Sequence, residues 1–297
     1  MLADERGKVH PQGMFFVMSS AQEGGAAGLA QEQNRQLDAL LHQGCSICHF
    51  LLFTPQRRYK AVLAACATAD VPDEQAGWLH AGELAYLDKQ TFERRRRSYL
   101  AGRYAAKHAA AAWLKGGIPL RDIAVLHGLL EHPVVTVPGH SNVQTSITHV
   151  DRAACALAFH EDIPLGIDLE LIREDRTDAM DSLLTAAERD ALRQLPYARS
   201  TALALLWTAK EALSKVLRTG LTMPVSCYET LHLQAEEMMM QGQYVCFPQY
   251  RFTAFVAGPS AVAIAYPRDA VLEASEGGTA SFISGISNTF SIPGDPL

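Results

Sequence analysis

Two acids, Asp168 and Glu170, stand two positions apart in the stretch LGIDLE, with Ile167 and Leu169 alternating between and before them. On a strand, side chains at i and i+2 leave by the same face, so the two carboxylates project together while Ile167 and Leu169 point the other way. On a helix the same pair would sit about 200° apart and could not converge on a ligand. Read as a strand, LGIDLE is a paired carboxylate on a rigid element, suited to something cationic.

A third acid lies downstream in LLWTAKEALSKVLRTG. At about 100° per residue, Leu203, Leu206, Ala209, Leu213, Val216 and Leu217 form a core-facing arc, and Trp207, Glu211, Lys215 and Arg218 form an adjacent one. Glu211 and Lys215 are one turn apart, which fits either joint action on one ligand or an ordinary surface ion pair worth about 0.2–0.5 kcal/mol. Lys210 falls inside the core arc, where it must snorkel along its stem or meet a partner.

The bases that could meet an anion are upstream. FERRRRSYLAGRYAAKHAAAAWL sets Arg94, Arg97, Arg103 and Lys107 on a long alanine-rich helix, read either as a phosphate-binding patch or as a solvated charged face. SITHVDRAACALAF puts His149 just ahead of a buried-looking strand, a position where a lone histidine is usually structural. CSICH, from Cys45 to His49, has the spacing of covalent haem attachment, but FLLF follows as a strand and no export signal precedes it. No second Cys or His pair follows at zinc-site spacing. GLLEHP, with Glu131 and His132, marks a turn.

Stepping from these residues to their supports, strands are expected at Cys48–Thr54, Ile123–His127, Pro133–Val137, Arg152–Phe159, Leu165–Leu169, Tyr244–Phe247, Arg251–Ala257 and Ala261–Ala265. Helices are expected at Gln56–Ala69, Phe92–Leu114, Thr185–Gln194 and Ala198–Leu217, the third opened by a capping box of Thr185 and Glu188. This order gives an α+β fold with no strong internal sequence repeat. Residues 1–45, rich in Gln, Gly and Ala, read as an N-terminal extension without a core, 46–165 as a first half, 166–270 as a second, and 271–297 as a flexible tail rich in Ser, Gly and Pro.

A chain of 297 residues, 48% hydrophobic, is long enough for two substantial cores. Its net charge of −6 argues against a general nucleic-acid binder, which relies on distributed Lys and Arg. No apolar run reaches the length of a membrane span. The charged MLADERGK start lacks the layout of a secretory signal, so the expectation is a cytoplasmic protein with its six cysteines reduced.

Three segments in fixed order, SITH at Ser146, GIDLE at Gly166 and WTAKEALSK at Trp207, resemble the 4′-phosphopantetheinyl transferases of the surfactin type. That family's signature is a G-(I/V)-D-x-E strand followed by a W-x-x-K-E-(A/S)-x-x-K helix. LAGRYAAKHA and the Met223-Pro224 pair are also similar, and the resemblance spans residues 80–265. It implies two pseudo-twofold halves, each a long helix on a small, largely antiparallel sheet. It further implies transfer of the 4′-phosphopantetheine arm of coenzyme A to a serine of an apo acyl or peptidyl carrier protein, as in holo-[acyl-carrier-protein] synthases, releasing 3′,5′-ADP.

On this resemblance Asp168, Glu170 and Glu211 hold Mg²⁺, an ion that takes hard oxygen ligands and completes its shell with phosphates and water. Catalysis falls to Glu211, Lys215 and Asp168, with Glu211 also a candidate proton acceptor. Coenzyme A is met by Arg94, Arg97, Glu131, His132, Pro133, Val134, Thr148, His149 and Lys215. Arg103 is a contact or a structural residue, and Lys210 a ligand or a support. Where the family has Gly-Lys-Pro, this chain has Glu131-His132-Pro133. The resemblance implies a monomer working with carriers of polyketide, nonribosomal peptide or fatty-acid systems, without nucleic acid or membrane. A coenzyme A-binding protein without turnover and a metal-dependent diphosphate hydrolase are the alternatives.

Overall fold

The computed structural model describes residues 44–115, 117–236, 239–274 and 278–290. The expected N-terminal extension falls almost wholly outside them. In chain order the elements are β1 (Cys45–Phe53), β2 (Arg58–Ala67), α1 (Ala81–Leu87), α2 (Glu93–Trp113), β3 (Ala124–His127), β4 (Pro133–Thr136), β5 (Val143–Val150), β6 (Ala153–His160) and β7 (Gly166–Leu171). There follow α3 (Thr177–Ser182), α4 (Ala186–Leu192), α5 (Arg199–Val216), β8 (Thr230–Glu236), β9 (Met239–Tyr244), β10 (Tyr250–Ala257), β11 (Ser260–Pro267), β12 (Val271–Ala274) and α6 (Gly278–Phe290).

Two antiparallel five-stranded sheets carry the fold, ordered β12-β1-β2-β6-β5 and β7-β11-β10-β9-β8, with β3 and β4 forming a separate hairpin. Helix α2 lies on the first sheet against β2, β5 and β6, and α5 on the second against β7, β10 and β11. The α+β class read from sequence is the one observed.

Each sheet is buried on both faces, which gives three cores. One side of the first sheet, with Val62, Ala64 and Cys66, packs on the alanines of α2. One side of the second, with Ala261, Ala263 and Ala265, packs on Leu206, Ala209 and Leu213 of α5. The remaining faces meet in a third core, where Leu63 and Leu157 share contacts with Ile167, Leu169 and Ile264. A strand buried on both sides shows no polar alternation. The run RYKAVLAACA is therefore β2, not the helix expected over Gln56–Ala69.

Other departures have equally local causes. Strand β5 is not among the expected strands, its Gln144, Ser146 and Thr148 breaking up the apolar run; β8 is not among them either, and β9 ends at Tyr244 where a strand over Tyr244–Phe247 is expected. The flexible tail is corrected in part. Val271–Ala274 pairs with β1, from Phe53↔Val271 to Phe50↔Ala274, and Gly278–Phe290 is helical. Leu272 of β12 and, one helical turn apart on α6, Ile286 and Phe290 enter the third core, their apolar spacing hidden among serines and glycines.

The likeness between the halves goes down to a buried ion pair. In the first half, Lys107 of α2 meets Glu83 at 2.7 Å, and Glu83 also accepts the N–H groups of His80 (2.9 Å) and Val125 (2.8 Å). In the second, Lys210 of α5 meets Glu188 at 2.7 Å, and Glu188 accepts the N–H groups of Thr185 (3.0 Å) and Thr230 (2.9 Å). All four charged side chains are fully buried. In each half, the glutamate in the first turn of a short helix joins that helix, the long helix and the strand that follows it. The lysines lie in short matching stretches, YAAKHA from Tyr104 and WTAKEA from Trp207. Lys210 is thus a support.

Removing one partner of such a pair strands the other charge in the interior. Lys210→Met is expected to cost about 3–5 kcal/mol in urea unfolding. Lys210→Met combined with Glu188→Gln should recover part of that loss, because glutamine removes the stranded charge and its one carbonyl oxygen can still accept the N–H of Thr230.

Candidate functional site

Strand β7 forms as its alternation dictates. Ile167 and Leu169 fill the core between the sheets, while Asp168 and Glu170 leave by the opposite face, toward α5. Gly166 permits the approach of that helix: a Cβ there would lie 2.0 Å from the carbonyl oxygen of Ala212. Only hydrogen fits in that space, and the closeness brings the last turns of α5 over the acids. Lys215 Nζ donates to Asp168 Oδ1 at 2.7 Å and to the Ile167 carbonyl at 2.9 Å. It does not pair with Glu211, as a surface i to i+4 bridge would.

Strands β5 and β7 are the edges at which the two sheets meet. No backbone ladder joins them; hydroxyls do. Ser146 Oγ accepts the N–H of Ile167 and Thr148 Oγ1 that of Leu169, each at 3.1 Å. Thr148 also donates to Asp168 Oδ1 at 2.9 Å. Asp168 Oδ2 is buried and has no hydrogen-bond partner among the described residues.

Crowding of the acids raises the proton affinity of Glu170 and Glu211. Burial and then the Asp168 charge push Glu211 up to about 7, with Lys215 opposing them and Glu170 adding a lesser push. Burial and Asp168 push Glu170 up as well, although Arg176 lies 3.2 Å from its carboxylate. Burial and the nearby Lys215 hold His149 below the usual histidine range, so its ring is more readily neutral.

Among the described residues no three His, Cys, Asp or Glu side chains are gathered closely enough to form a complete metal cluster. The expected ligands Asp168, Glu170 and Glu211 lie near enough for the charges of the first two to act on the third, while Glu170 also pairs with Arg176 and one oxygen of Asp168 with Lys215. The donor chemistry nevertheless fits a hard cation. It offers an unpartnered buried carboxylate oxygen and excess negative charge that lifts Glu211, and Mg²⁺ ordinarily takes only one or two protein carboxylates.

Beside the acids opens a cleft of about 830 Å³ between α2, the start of β4, β5 and the end of β7. Glu170, His149, Arg94, Arg95, Arg173 and Arg176 line it. One wall is aromatic: Tyr86 lies 4.4 Å from His127 and 4.7 Å from Tyr99 between ring centroids, and the Arg103 guanidinium sits 4.4 Å over Tyr99. Arg103 also hydrogen-bonds His127 at 3.0 Å. A smaller cavity of about 280 Å³ lies behind Glu131 and Pro133 and reaches Lys215.

The residues expected to meet coenzyme A are divided by this geometry. Arg94, Glu131, Pro133 and His149 line the large cleft, with Arg94 held by Asp151 at 2.8 Å; His132 and Lys215 line the smaller cavity. Arg97 faces another cavity with Asp73 and Glu74, since four consecutive arginines cannot share one helix face. Val134 lines neither cavity of the site, and Thr148 is buried against Asp168. Glu131 adopts φ +58°, a left-handed conformation in which glycine would be unstrained.

Sequence reading missed Arg95, Arg173, Arg176 and the Tyr86–Tyr99–His127 wall. The two later arginines follow directly on GIDLEL and could have been found there. The wall is drawn from three separated elements and left no local signal.

Residues 164–265 match the model of the 4′-phosphopantetheinyl transferase superfamily. Enterobactin synthase component D of Escherichia coli strain K12 is 32% identical over 141 residues, and that of Shigella flexneri 31% over the same length; each match covers 46% of this chain and 61% of the relative. The chain thus matches about three fifths of the length of these relatives. Among solved structures, a holo-(acyl-carrier-protein) synthase of Bacillus anthracis in complex with coenzyme A (3′,5′-ADP) aligns at TM-score 0.30 and 18% identity, covering 38% of this chain and 96% of that one. The holo-[acyl-carrier-protein] synthase of Thermotoga maritima aligns at 0.29 and 23%, covering 40% and 69%. The resemblance carried by GIDLE and WTAKEALSK is borne out over the matched residues.

The lifted Glu211 makes stability depend on pH. Its folded pKa of about 7 lies above the ordinary carboxylate value, so between the two the folded chain retains a proton that the unfolded chain gives up. Without added metal, this group's contribution to stability should fall as pH rises from about 4.5 through about 7. Subtracting the Glu211→Gln profile from that of the parent, by urea unfolding across the window, isolates this slope. Identical profiles would contradict the assignment.

Proposed function

We propose, from the premise that residues 164–265 are a 4′-phosphopantetheinyl transferase superfamily segment, that this protein transfers the 4′-phosphopantetheine arm of coenzyme A to a serine of an apo acyl or peptidyl carrier protein. The observation that carries the reading is the acid group of Asp168, Glu170 and Glu211 beside Lys215 at the edge of a basic cleft. Such a cleft suits a polyphosphate, and the acids suit the cation that a polyphosphate brings with it. The reading includes the holo-[acyl-carrier-protein] synthase type of reaction, dependence on Mg²⁺, a monomer in the cytoplasm, and carriers of polyketide, nonribosomal peptide or fatty-acid synthesis.

The side chains divide the work. Arg94, Arg95, Arg173 and Arg176 offer guanidinium groups to phosphates, where bidentate hydrogen bonding fixes orientation. The stacked wall of Tyr86, His127 and Tyr99 offers a flat face to the adenine ring. Asp168, with Glu170 and Glu211 alongside, would hold Mg²⁺, which when bound neutralises charge on the diphosphate as its bond breaks. Glu211, beside Asp168 and Lys215, is the candidate to accept the serine proton, directly or through water. The serine oxygen forms a bond to the phosphorus bearing pantetheine, the bond from that phosphorus to the bridging oxygen breaks, and 3′,5′-ADP leaves with the electron pair.

Incubation of the protein with apo carrier proteins, coenzyme A and Mg²⁺ should add the mass of phosphopantetheine to the carrier serine. Asp168→Ala should lower kcat/KM by about 100-fold or more, the scale of losing a principal electrostatic group. No mass gain across acyl and peptidyl carriers would refute transfer. Free phosphopantetheine released without a carrier would identify a hydrolase, and tight coenzyme A binding with neither product a binding protein.

A further inference from the structure

A carboxylate that is to ligate a cation must offer an oxygen that no other group has claimed. Asp168 offers one. Its Oδ1 accepts two donors, Lys215 Nζ at 2.7 Å and Thr148 Oγ1 at 2.9 Å, while its Oδ2 is buried and unpartnered among the described residues.

The direction of the Thr148 hydroxyl follows from its other contact. Thr148 Oγ1 accepts the N–H of Leu169 at 3.1 Å, so its own proton must point elsewhere, and Asp168 Oδ1 receives it. Thr148 is buried, with 5% of its surface exposed, so bulk water does not compete for that proton. As a β-branched residue on a strand it has few χ1 choices. The hydroxyl therefore fixes the rotation of the carboxylate as well as solvating it.

We propose that Thr148 is a positioning residue for the divalent cation: together with Lys215 it holds Oδ1 of Asp168 and leaves Oδ2 as the ligating atom. This rests on the cation site proposed above and assigns Thr148 a role apart from the coenzyme A contact expected of it. Ser146 provides an internal control. It lies two residues earlier on β5 and closes the same seam by accepting the N–H of Ile167 at 3.1 Å, but that bond does not reach Asp168.

The test is Mn²⁺ binding to the full-length protein with coenzyme A present, followed by the paramagnetic resonance of the free ion, with urea unfolding measured alongside. Thr148→Val should weaken Mn²⁺ binding by about 10-fold or more, as loss of a group that orients a metal ligand usually does. Thr148→Ser, which restores the donor, should bind within about twofold of the parent on the same scale. Ser146→Ala should lower unfolding stability through the lost seam bond and leave Mn²⁺ affinity unchanged. If Thr148→Val does not fold, Thr148→Ala makes the same comparison. Parent-like Mn²⁺ affinity in the variant lacking the hydroxyl would overturn the proposal, as would equal weakening by Ser146→Ala. Failure of the parent protein to bind Mn²⁺ with coenzyme A would instead remove the cation site itself, and the proposal with it.

Discussion

The two halves meet along edge strands β5 and β7, and edge strands carry backbone N–H groups that must find acceptors when buried. Here the acceptors are side-chain hydroxyls, Ser146 for Ile167 and Thr148 for Leu169. Joining two sheets by hydroxyls rather than by a continuous ladder leaves the strands free to diverge. Helix α5 closes over β7, its approach set by the missing Cβ of Gly166. The seam that joins the halves thereby runs beneath Asp168, and it reaches the acid directly through Thr148.

The same support is used twice, yet the acid group is built once. Lys107 with Glu83 and Lys210 with Glu188 tie each long helix to the short helix before it and the strand after it. A buried pair of this kind is weak evidence for net stability, because desolvation offsets most of the attraction. Its clearer consequence is register: each lysine fixes which helical residues face the sheet. One position beyond it stands Glu211 in the second half and His108 in the first. His108 is fully buried, both ring nitrogens lack partners among the described residues, and burial lowers its pKa to about 4. Five positions beyond the lysine stand Lys215 and Ala112 respectively. The first half repeats the scaffold without the charges.

Sequence patterning shows this architecture where one side of an element differs from the other. Strand β7 and helix α5 were legible because their acids and bases interrupt apolar periodicities of 2 and 3.6. Strand β2 was not, because Val62 and Leu63 are both buried, on opposite faces, and a two-sided burial resembles a buried helix. Strand β5 failed for the opposite reason: its polar residues serve a seam that the sequence does not reveal. Among the site residues, the acids and Lys215 are spaced by one strand and one helix, and their convergence could be anticipated. The arginines of α2 could not be assigned, since Arg95 lines the cleft and Arg97 another cavity only through the rotation of α2 against its sheet.

Exposure divides the ion pairs of the cleft into two kinds. Arg94 with Asp151 and Arg176 with Glu170 are solvent-facing on the arginine side, 82% and 49% exposed, and such pairs contribute little. Asp168 with Lys215 is sheltered at 7% and 25%, and the backbone carbonyl of Ile167 and the hydroxyl of Thr148 hold it further. Under the proposed function an entering phosphate would compete with Asp151 for Arg94 and with Glu170 for Arg176, both pairs being exposed. Were Arg176 to turn to a phosphate, as the proposed function would have it, Glu170 would lose its counter-charge beside Asp168 and an already lifted Glu211, which would favour a cation there. Under the proposed function the outer pairs would couple anion entry to cation affinity, while the inner pair, sheltered and held by further hydrogen bonds, would keep Asp168 in place.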